Sequence, residues 1–191
     1  MRIRPGAEVD LPTVIAIEAN AGELFREVNM AVVADGELPT VEQLLPAVRD
    51  GRVLVAVEDD DSTLAFVLNS WVDGRAHLDQ VSVDPTSAGR GLGRGLIAAA
   101  EQWGRERGSS AMTLTTFADV PWNGPYYRRL GWRDLPAAEL GPEPRGHPPT
   151  RSVPWARRVA PDGDDQAAVK TADSSRSAIG SRHFLIVRAA A

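Results

Sequence analysis

The sequence predicts one α/β domain in which helices flank a mixed sheet, and three observations lead to this fold class. Short β-branched or alternating runs recur along the chain, with helical apolar spacing between them. An acidic turn at 59–61 and an Asp73-Gly74 dipeptide separate consecutive strand candidates, as in antiparallel hairpins. A chain of 191 residues is long enough for one well-buried domain and hardly for two.

Each element follows from a local signal. The predicted strands, which are apolar or β-branched runs, cover residues 2–4, 52–58, 64–69, 76–83 and 111–117. The predicted helices, which have apolar residues three or four apart, cover 8–19, 40–49 and the stretch from Leu92 to a stop signal at Gly108. Thr40, with Gln43 three positions on, predicts a capping box at the start of the second helix.

Composition and charge exclude several classes of function. The net charge is −5, which gives nucleic-acid binding no electrostatic support. The chain has no cysteine, so disulfides, thiol catalysis and Cys-containing metal sites are excluded, and its three histidines form no metal-ligand motif. No signal peptide or bilayer-length apolar run is recognisable. We therefore expect a cytoplasmic protein with no metal and no membrane partner.

The stretch after the strand at 76–83 is the most informative in the chain. The segment that opens the long helix consists of Arg90, Gly91, Leu92, Gly93, Arg94 and Gly95. A glycine-rich turn at a helix N-terminus presents unbonded N–H groups and the positive end of the helix dipole to an anion. The sequence therefore predicts a phosphate or pyrophosphate cradle, to which Arg90 and Arg94 add charge.

Residue spacing excludes two common phosphate-binding loops. No lysine follows any of these glycines, as a P-loop requires, and Leu96 stands where the third glycine of a dinucleotide fingerprint belongs. The pattern that remains is Arg-x-x-Gly-x-Gly at Arg90, Gly93 and Gly95. It resembles the pyrophosphate loop of the GNAT N-acetyltransferase superfamily, whose usual form is Gln/Arg-x-x-Gly-x-Gly/Ala.

A second motif strengthens this resemblance. Residues 121–132 read Pro-Trp-Asn-Gly-Pro-Tyr-Tyr-Arg-Arg-Leu-Gly-Trp and are similar to the family's Asn…Phe-Tyr-x-x-Leu-Gly-Phe segment. Tyr126 and Trp132 replace the two phenylalanines, and Asn123 stands closer to the tyrosine than in many members. The resemblance covers most of residues 1–135. It implies a mixed, mostly antiparallel central sheet whose two middle strands splay apart.

The resemblance also implies a binding site for acetyl-CoA in the wedge between the strands at 76–83 and 111–117. The main-chain groups of Val81, Ser82 and Val83 are then expected to bond the pantetheine amides, with the Val81 N–H facing the thioester oxygen. The cradle at 90–95 is expected to hold the pyrophosphate. Asn123 either contacts the pantetheine arm or caps the helix that follows it. An ordinary buried strand at 76–83 is the alternative.

Three residues are candidate catalytic groups. Tyr127 occupies the family's tyrosine position and is expected to protonate the departing thiolate of CoA, with a packing tyrosine as the alternative. His77 and Asp79 are two residues apart on one strand and so share a face. Either is expected to act as the base, or Asp79 to orient His77. A polar face at a strand edge explains the same pair equally well.

The composition changes after Asp134. Six prolines between 136 and 154 interrupt any long element, and residues 160–182, rich in Asp, Ala and Ser, are predicted to be solvated or disordered. We therefore divide the chain into an acetyltransferase-like domain at 1–158 and a low-complexity tail at 159–191. Since the family closes its sheet with a terminal strand, residues 152–158 and 183–188 are both candidates for it.

These features lead to an expected function. It is acetyl-CoA-dependent N-acetyl transfer to a primary amine of a small molecule or a peptide. The segment at 21–39 is expected to set the acceptor; Glu23, Glu27, Asp35 and Glu37 there mildly favour a cation, although a solvated face explains them too. The alternatives are a regulatory acyl-CoA-binding module of this superfamily without catalysis and an unrelated nucleotide-phosphate binder. The resemblance also allows a homodimer.

Overall fold

The computed structural model describes residues 1–135 and the backbone of 152–158, which contain seven strands and five α-helices. The strands are β1 (Arg2–Pro5), β2 (Val53–Val57), β3 (Thr63–Val72), β4 (Arg75–Val83), β5 (Ala111–Phe117), β6 (Arg133–Asp134) and β7 (Ser152–Arg158). The helices are α1 (Leu11–Gly22), α2 (Ala31–Ala34), α3 (Val41–Arg49), α4 (Leu92–Glu106) and α5 (Gly124–Arg129). Short 3-10 turns cover Glu8–Asp10, Glu23–Val28 and Pro85–Ser87.

All seven strands form one sheet in the order β1-β2-β3-β4-β5-β7-β6. Neighbouring strands are antiparallel, except that β4 and β5 are parallel and pair only at Ala76, His77 and Leu78. The connection between these two strands runs through α4, as parallel strands require. The predicted mixed, mostly antiparallel sheet with splayed middle strands is therefore confirmed.

The two faces of the sheet carry separate apolar clusters. On one face, α4 covers the strands through a cluster that includes Leu96 and Tyr127. On the other, α1 and α3 cover β2 and β3 through residues such as Leu11 and Phe66. We call these the α4 face and the α1 face. Burial of both faces supplies the main driving force for folding, since it removes apolar surface from water.

Several element ends lie where the local signals place them. The Thr40 N–H donates to Gln43 Oε1 (2.8 Å) and the Gln43 N–H donates to Thr40 Oγ1 (3.4 Å), so the capping box begins α3 as predicted. Gly108 follows α4 with a φ of +82°, a conformation that glycine adopts without strain. Asp73 and Gly74, at φ of +55° and +73°, form the tight turn between β3 and β4.

Beyond β5 the sheet is extended by β7, which follows α5 and β6 in the chain. β7 runs antiparallel along the whole of β5, from the pair Ala111↔Arg158 to the pair Phe117↔Ser152. The first of the two candidate closing strands thus occupies this position. The second candidate, at 183–188, and the predicted disorder at 160–182 lie outside the described residues.

Candidate active site

The sheet opens into a wedge after Leu78. β4 pairs with β5 at three successive residues ending at Leu78, whereas its other edge stays paired with β3 as far as Val83. Residues 79–83 therefore diverge from residues 115–117 of β5. This is the splay that the sequence led us to expect.

Two of the three residues predicted to offer free main-chain groups face this wedge. The Asp84 N–H donates to the Leu64 carbonyl on β3 (2.9 Å). Because main-chain direction alternates along a strand, Ser82 also points to β3, while Val81 and Val83 point into the wedge. The prediction for Ser82 is therefore wrong, since its main-chain groups belong to the β3 ladder. Within the described residues, no strand pairs with β4 on the wedge side at this level.

A β-bulge places a row of polar side chains on the α1 face of β4. The β3–β4 register shifts between the pairs Leu68↔Gln80 and Asn69↔Leu78, so Asp79 is an extra residue in its strand. The apolar side chains of β4 on either side of the bulge pack in the α4-face cluster. The alternation of side chains then directs four polar residues to the α1 face: His77, Asp79, Gln80 and Ser82.

His77 and Asp79 share this face, as predicted, with His77 Nε2 4.0 Å from Asp79 Oδ1. His77 Nδ1 lies 2.7 Å from Thr113 Oγ1, across the part of the sheet that is still paired. The Asp79 carboxylate accepts a hydrogen bond from Ser70 Oγ (2.7 Å). Both side chains are thus bonded to neighbouring strands at the closed end of the wedge, and their role as base stays a prediction.

The glycine-rich segment forms an open helix N-terminus. Gly91 is the N-cap residue of α4, with a left-handed φ of +75° that favours glycine. The ladder of α4 starts with the hydrogen bond from the Gly95 N–H to the Gly91 carbonyl (3.1 Å). The N–H groups of Leu92, Gly93 and Arg94 precede that ladder and point toward the turn. An anion placed there meets three donors and the positive end of the helix dipole.

The two arginines of this segment have different surroundings. The Arg90 guanidinium forms an ion pair with the Glu58 carboxylate at the end of β2 (2.6 Å). Arg94 is exposed, and its charge opposes the burial that raises the pKa of Tyr126. Of the two, Arg94 is thus the arginine whose charge reaches Tyr126 of α5.

Tyr127 is fully buried in the α4-face cluster. Its ring makes edge contacts with Tyr126 and Trp132, at centroid distances of 5.8 and 5.7 Å. Its hydroxyl has no hydrogen-bond partner among the described residues. Burial raises the pKa of Tyr127 well above its ordinary value, so the phenol stays protonated at neutral pH. Buried hydroxyls are normally hydrogen-bonded, so the Tyr127 hydroxyl is an exception among the described residues.

The position of α5 depends on Gly124. A Cβ on this residue would collide with the Ala118 carbonyl oxygen, so glycine lets the helix approach the loop after β5. Asn123 precedes it at the N-cap, and its carbonyl accepts hydrogen bonds from the N–H groups of Tyr126 (2.9 Å) and Tyr127 (3.1 Å). The buried Asn123 side chain makes no capping hydrogen bond, contrary to one of the two predicted roles. Its contact with pantetheine stays a prediction.

Glu18 of α1 lies beside the polar row of β4, although this residue has no role in the predictions made from the sequence. The buried Gln80 amide donates a hydrogen bond to the Glu18 carboxylate and another to Ser82 Oγ (3.2 Å). Burial raises the pKa of Glu18 from 4.5 to about 7, against the opposing effect of the Gln80 hydrogen bond. No local signal predicts this contact, because α1 and β4 meet only in the folded chain.

The segment between α1 and α3 lies next to the end of β5. Phe25 packs edge-on against Phe117, with ring centroids 5.5 Å apart. Arg26 binds both the Glu23 carboxylate (2.8 Å) and the Asp35 carboxylate (2.6 Å). The predicted acidic cluster of this segment therefore contains a cation of its own, which weakens the argument for a cationic acceptor.

The family to which this chain belongs follows from a direct match. A family model described as acetyltransferase (GNAT) family matches residues 22–132, more than half of the chain. The chain belongs to the GNAT family. The matched residues include the wedge, the glycine-rich helix N-terminus and α5, so the resemblance inferred from the two motifs is confirmed.

Solved structures of N-acetyltransferases share this GNAT fold. The ribosomal-protein-S18-alanine N-acetyltransferase of Escherichia coli is 18% identical with a TM-score of 0.61, over 87% of this chain and 99% of that chain. The ribosomal-protein-alanine N-acetyltransferase of Brucella melitensis is 23% identical with a TM-score of 0.62, over 83% and 99%. The PaiA N-acetyltransferase of Thermoplasma acidophilum, solved in complex with coenzyme A, is 15% identical with a TM-score of 0.61, over 82% and 98%. At these identities the likeness establishes the fold.

Two further properties bear on the expected partners of this GNAT chain. Among the described residues, no helix has both the length and the apolar character needed to cross a membrane. The same residues contain no group of three His, Cys, Asp or Glu side chains arranged to hold a metal ion.

Proposed function

We propose that this protein is an acetyl-CoA-dependent N-acetyltransferase that moves an acetyl group to a primary amine by direct attack in a ternary complex. The observation that carries the proposal is the wedge between β4 and β5, where main-chain groups of β4 have no strand partner among the described residues. Tyr127, whose buried hydroxyl has no hydrogen-bond partner among those residues, packs in the same apolar cluster as Val81 and Val83 of β4. The open N-terminus of α4 follows the same strand closely in the chain. A ligand with both a pyrophosphate and an amide-bearing arm fits this combination.

The binding residues divide by chemistry. The N–H groups of Leu92, Gly93 and Arg94 suit pyrophosphate oxygens, and the Arg94 side chain adds positive charge. The main-chain groups of Val81 and Val83 suit the amides of the pantetheine arm, in the manner of an added strand. Acetyl-CoA, when bound, supplies the acyl group in activated form as a thioester.

Amide formation places three demands on the chain's own residues. An alkylamine with a pKa of about 10 is mostly ammonium at neutral pH, so a base must take a proton from it. The Val81 N–H faces the wedge and is placed to stabilise negative charge on the carbonyl oxygen. Tyr127 Oη holds a proton for the departing thiolate, and burial of the phenol keeps that proton in place at neutral pH.

The acceptor belongs to the class of primary amines on a small molecule or a peptide. Two of the structural neighbours are named as alanine N-acetyltransferases of ribosomal proteins, which favours a peptide α-amine among the first acceptors to test. The segment between α1 and α3 borders the end of β5, and we assign the choice of acceptor to it.

Calorimetric titration with acetyl-CoA, CoA and ATP tests the proposal. Gly93→Asp puts a carboxylate among the three N–H groups and is expected to abolish binding of acetyl-CoA. Ala98→Asp, an exposed position on the same helix, adds the same charge away from the turn and is expected to retain it. Equal binding by both variants, or a preference of the wild type for ATP, would show that the cradle has been misassigned.

A further inference from the structure

The wedge has different chemical groups on its two sides. Tyr127 belongs to the cluster on the α4 face. Glu18 and Gln80 lie on the α1 face, where α1 packs over β4. Gln80 precedes Val81, whose main chain points into the wedge, so the Glu18 carboxylate lies beside the level at which the carbonyl oxygen would be bound.

We propose that the Glu18 carboxylate is the base that takes the proton from the acceptor's ammonium group, and that Gln80 positions it. This proposal rests on the proposed function. The ammonium transfers one proton to Glu18, and the amine nitrogen then attacks the thioester carbon. The new C–N bond forms, the C–S bond breaks, and the thiolate takes the Tyr127 proton. The second nitrogen proton restores Tyr127, and Glu18 releases its proton to water.

The geometry favours Glu18 over the two bases that the sequence suggested. His77 lies where β4 and β5 are still paired, and its ring nitrogen contacts Thr113. Asp79 is bonded to Ser70 on the neighbouring strand. Glu18 instead reaches β4 beyond the paired region, at Gln80, on the side of the wedge opposite the tyrosine. A base and an acid on opposite sides suit a reaction in which the amine enters as the thiolate leaves.

The surroundings of Glu18 give the proposal a measurable pH dependence. Burial raises the pKa of Glu18 to about 7, and the Gln80 hydrogen bond is the opposing influence. Charged or titratable residues on the described elements packed against α1 are Glu8, Asp10, Glu23, Arg26, Glu27, Glu42, Arg49, Arg75, His77, Asp79 and Asp84. None of them contributes to this shift. A base with such a pKa is mostly ionised just above neutrality, which suits proton transfer under cellular conditions.

The test measures thiol release from acetyl-CoA across pH 5 to 9. The three probe amines are glutamate, putrescine and a peptide amide whose N-terminal residue is alanine. For wild type, we expect kcat/KM to rise with pH through an apparent pKa of about 7. Glu18→Gln is expected to lose about 100- to 10,000-fold in kcat and to lose that rising limb, as removal of a general base does. Glu8→Gln, an exposed glutamate just before α1, is the matched control and is expected to leave rate and profile unchanged.

Gln80→Leu separates a catalytic role from a structural one. It removes the hydrogen bond that lowers the pKa of Glu18, so the rising limb is expected to move to higher pH. If Glu18 served only in packing, the Gln80→Leu substitution would leave the rising limb at the same pH. Carbon-13 NMR titration of labelled glutamate, assigned with Glu18→Gln, measures the same pKa without any acceptor.

The outcomes distinguish the two proposals. If wild type acetylates a probe and Glu18→Gln does so within about threefold with the same profile, the assignment of Glu18 is overturned and the proposed function stands. If wild type neither binds acetyl-CoA nor acetylates a probe, both are overturned. If acetyl-CoA binds but no probe is accepted, the NMR titration decides: a Glu18 carboxyl with its ordinary pKa overturns the assignment, and one near 7 that rises in Gln80→Leu supports it.

Discussion

Replacement of Glu18 by glutamine is expected to stabilise the protein at alkaline pH while it removes activity. The folded state binds the Glu18 proton more tightly than the unfolded state, because burial raises the pKa from 4.5 to about 7. The folded protein therefore carries more protons in this range, and its free energy of unfolding falls as the pH rises from 4.5 to 7. Above pH 7 the carboxylate is ionised in both states, and its burial costs the folded state a constant free energy. This cost is about 3 kcal/mol, from the difference between the two pKa values at 1.36 kcal/mol per unit. Since Glu18 is half-buried, water screens part of it, and we take this figure as an upper bound.

Urea unfolding of wild type and Glu18→Gln at pH 5 and pH 8 measures this cost. At pH 5 the folded carboxyl is largely protonated and resembles the amide, whereas the unfolded carboxyl is already mostly ionised, so the variant is expected to be more stable by only about 1 kcal/mol. At pH 8 the variant is expected to be more stable by up to about 3 kcal/mol, or about 6–12 °C in Tm for a chain of this size. Titration of every other group cancels in the difference, and Glu8→Gln controls for loss of one negative charge. A stability difference that is the same at both pH values would refute the reasoning.

The remaining predictions concern three other sites. Tyr127→Phe removes a buried hydroxyl that has no hydrogen-bond partner in the described part of the chain. We expect equal or slightly higher stability in urea, retained acetyl-CoA binding, and thiol release at least about 100-fold slower; full turnover would exclude Tyr127 as the acid. Gly124→Ala forces a Cβ against the Ala118 carbonyl; we expect a loss of about 1–3 kcal/mol in urea unfolding, and wild-type stability would contradict the packing described. Asp10→Asn breaks the ion pair of buried Asp10 with Arg4 (2.7 and 2.9 Å), at an expected cost of about 3 kcal/mol at pH 7. Burial acts to raise the pKa of Asp10. The hydrogen bonds that its carboxylate accepts, the strongest of them from Arg4, outweigh burial and lower the pKa. In urea titrations the Asp10→Asn cost should therefore persist down to the ordinary pKa of 3.8 and decrease as the pH falls further below it; a cost independent of pH would contradict this reasoning.

The positions of helices and strands could be predicted because their signals are local. Alternation along 111–117 defines β5 with the bounds that the structure shows, and the Thr40 capping box begins α3. The open N-terminus of α4 follows from glycines that are adjacent in the sequence. The first helix shows the limit of such signals, since Glu8–Asp10 forms a 3-10 turn before α1 begins at Leu11.

The parts of the site that sequence reasoning missed depend on contacts between distant segments. Glu18 has the spacing of a residue on the packed side of α1, and only its contact with Gln80 distinguishes it from a solvated carboxylate. The motif that contains Arg90 does not indicate that Glu58, far away in the sequence, binds the Arg90 guanidinium. The expectation that Val81, Ser82 and Val83 all offer free main-chain groups took no account of the alternation along β4, which turns Ser82 toward β3.

The register shift between β3 and β4 determines the chemistry of the wedge. The Asn69 N–H donates to the Arg52 carbonyl, away from β4, so Leu78 opposite Asn69 directs its own main chain toward β5. In a regular strand, residues 80 and 82 would repeat that direction and residue 81 would face β3. The extra residue at Asp79 reverses the alternation, which turns the Val81 main chain into the wedge and the Gln80 side chain toward Glu18. One inserted residue thus brings the proposed oxyanion donor, the Val81 N–H, and the partner of the proposed base to the same level of the sheet.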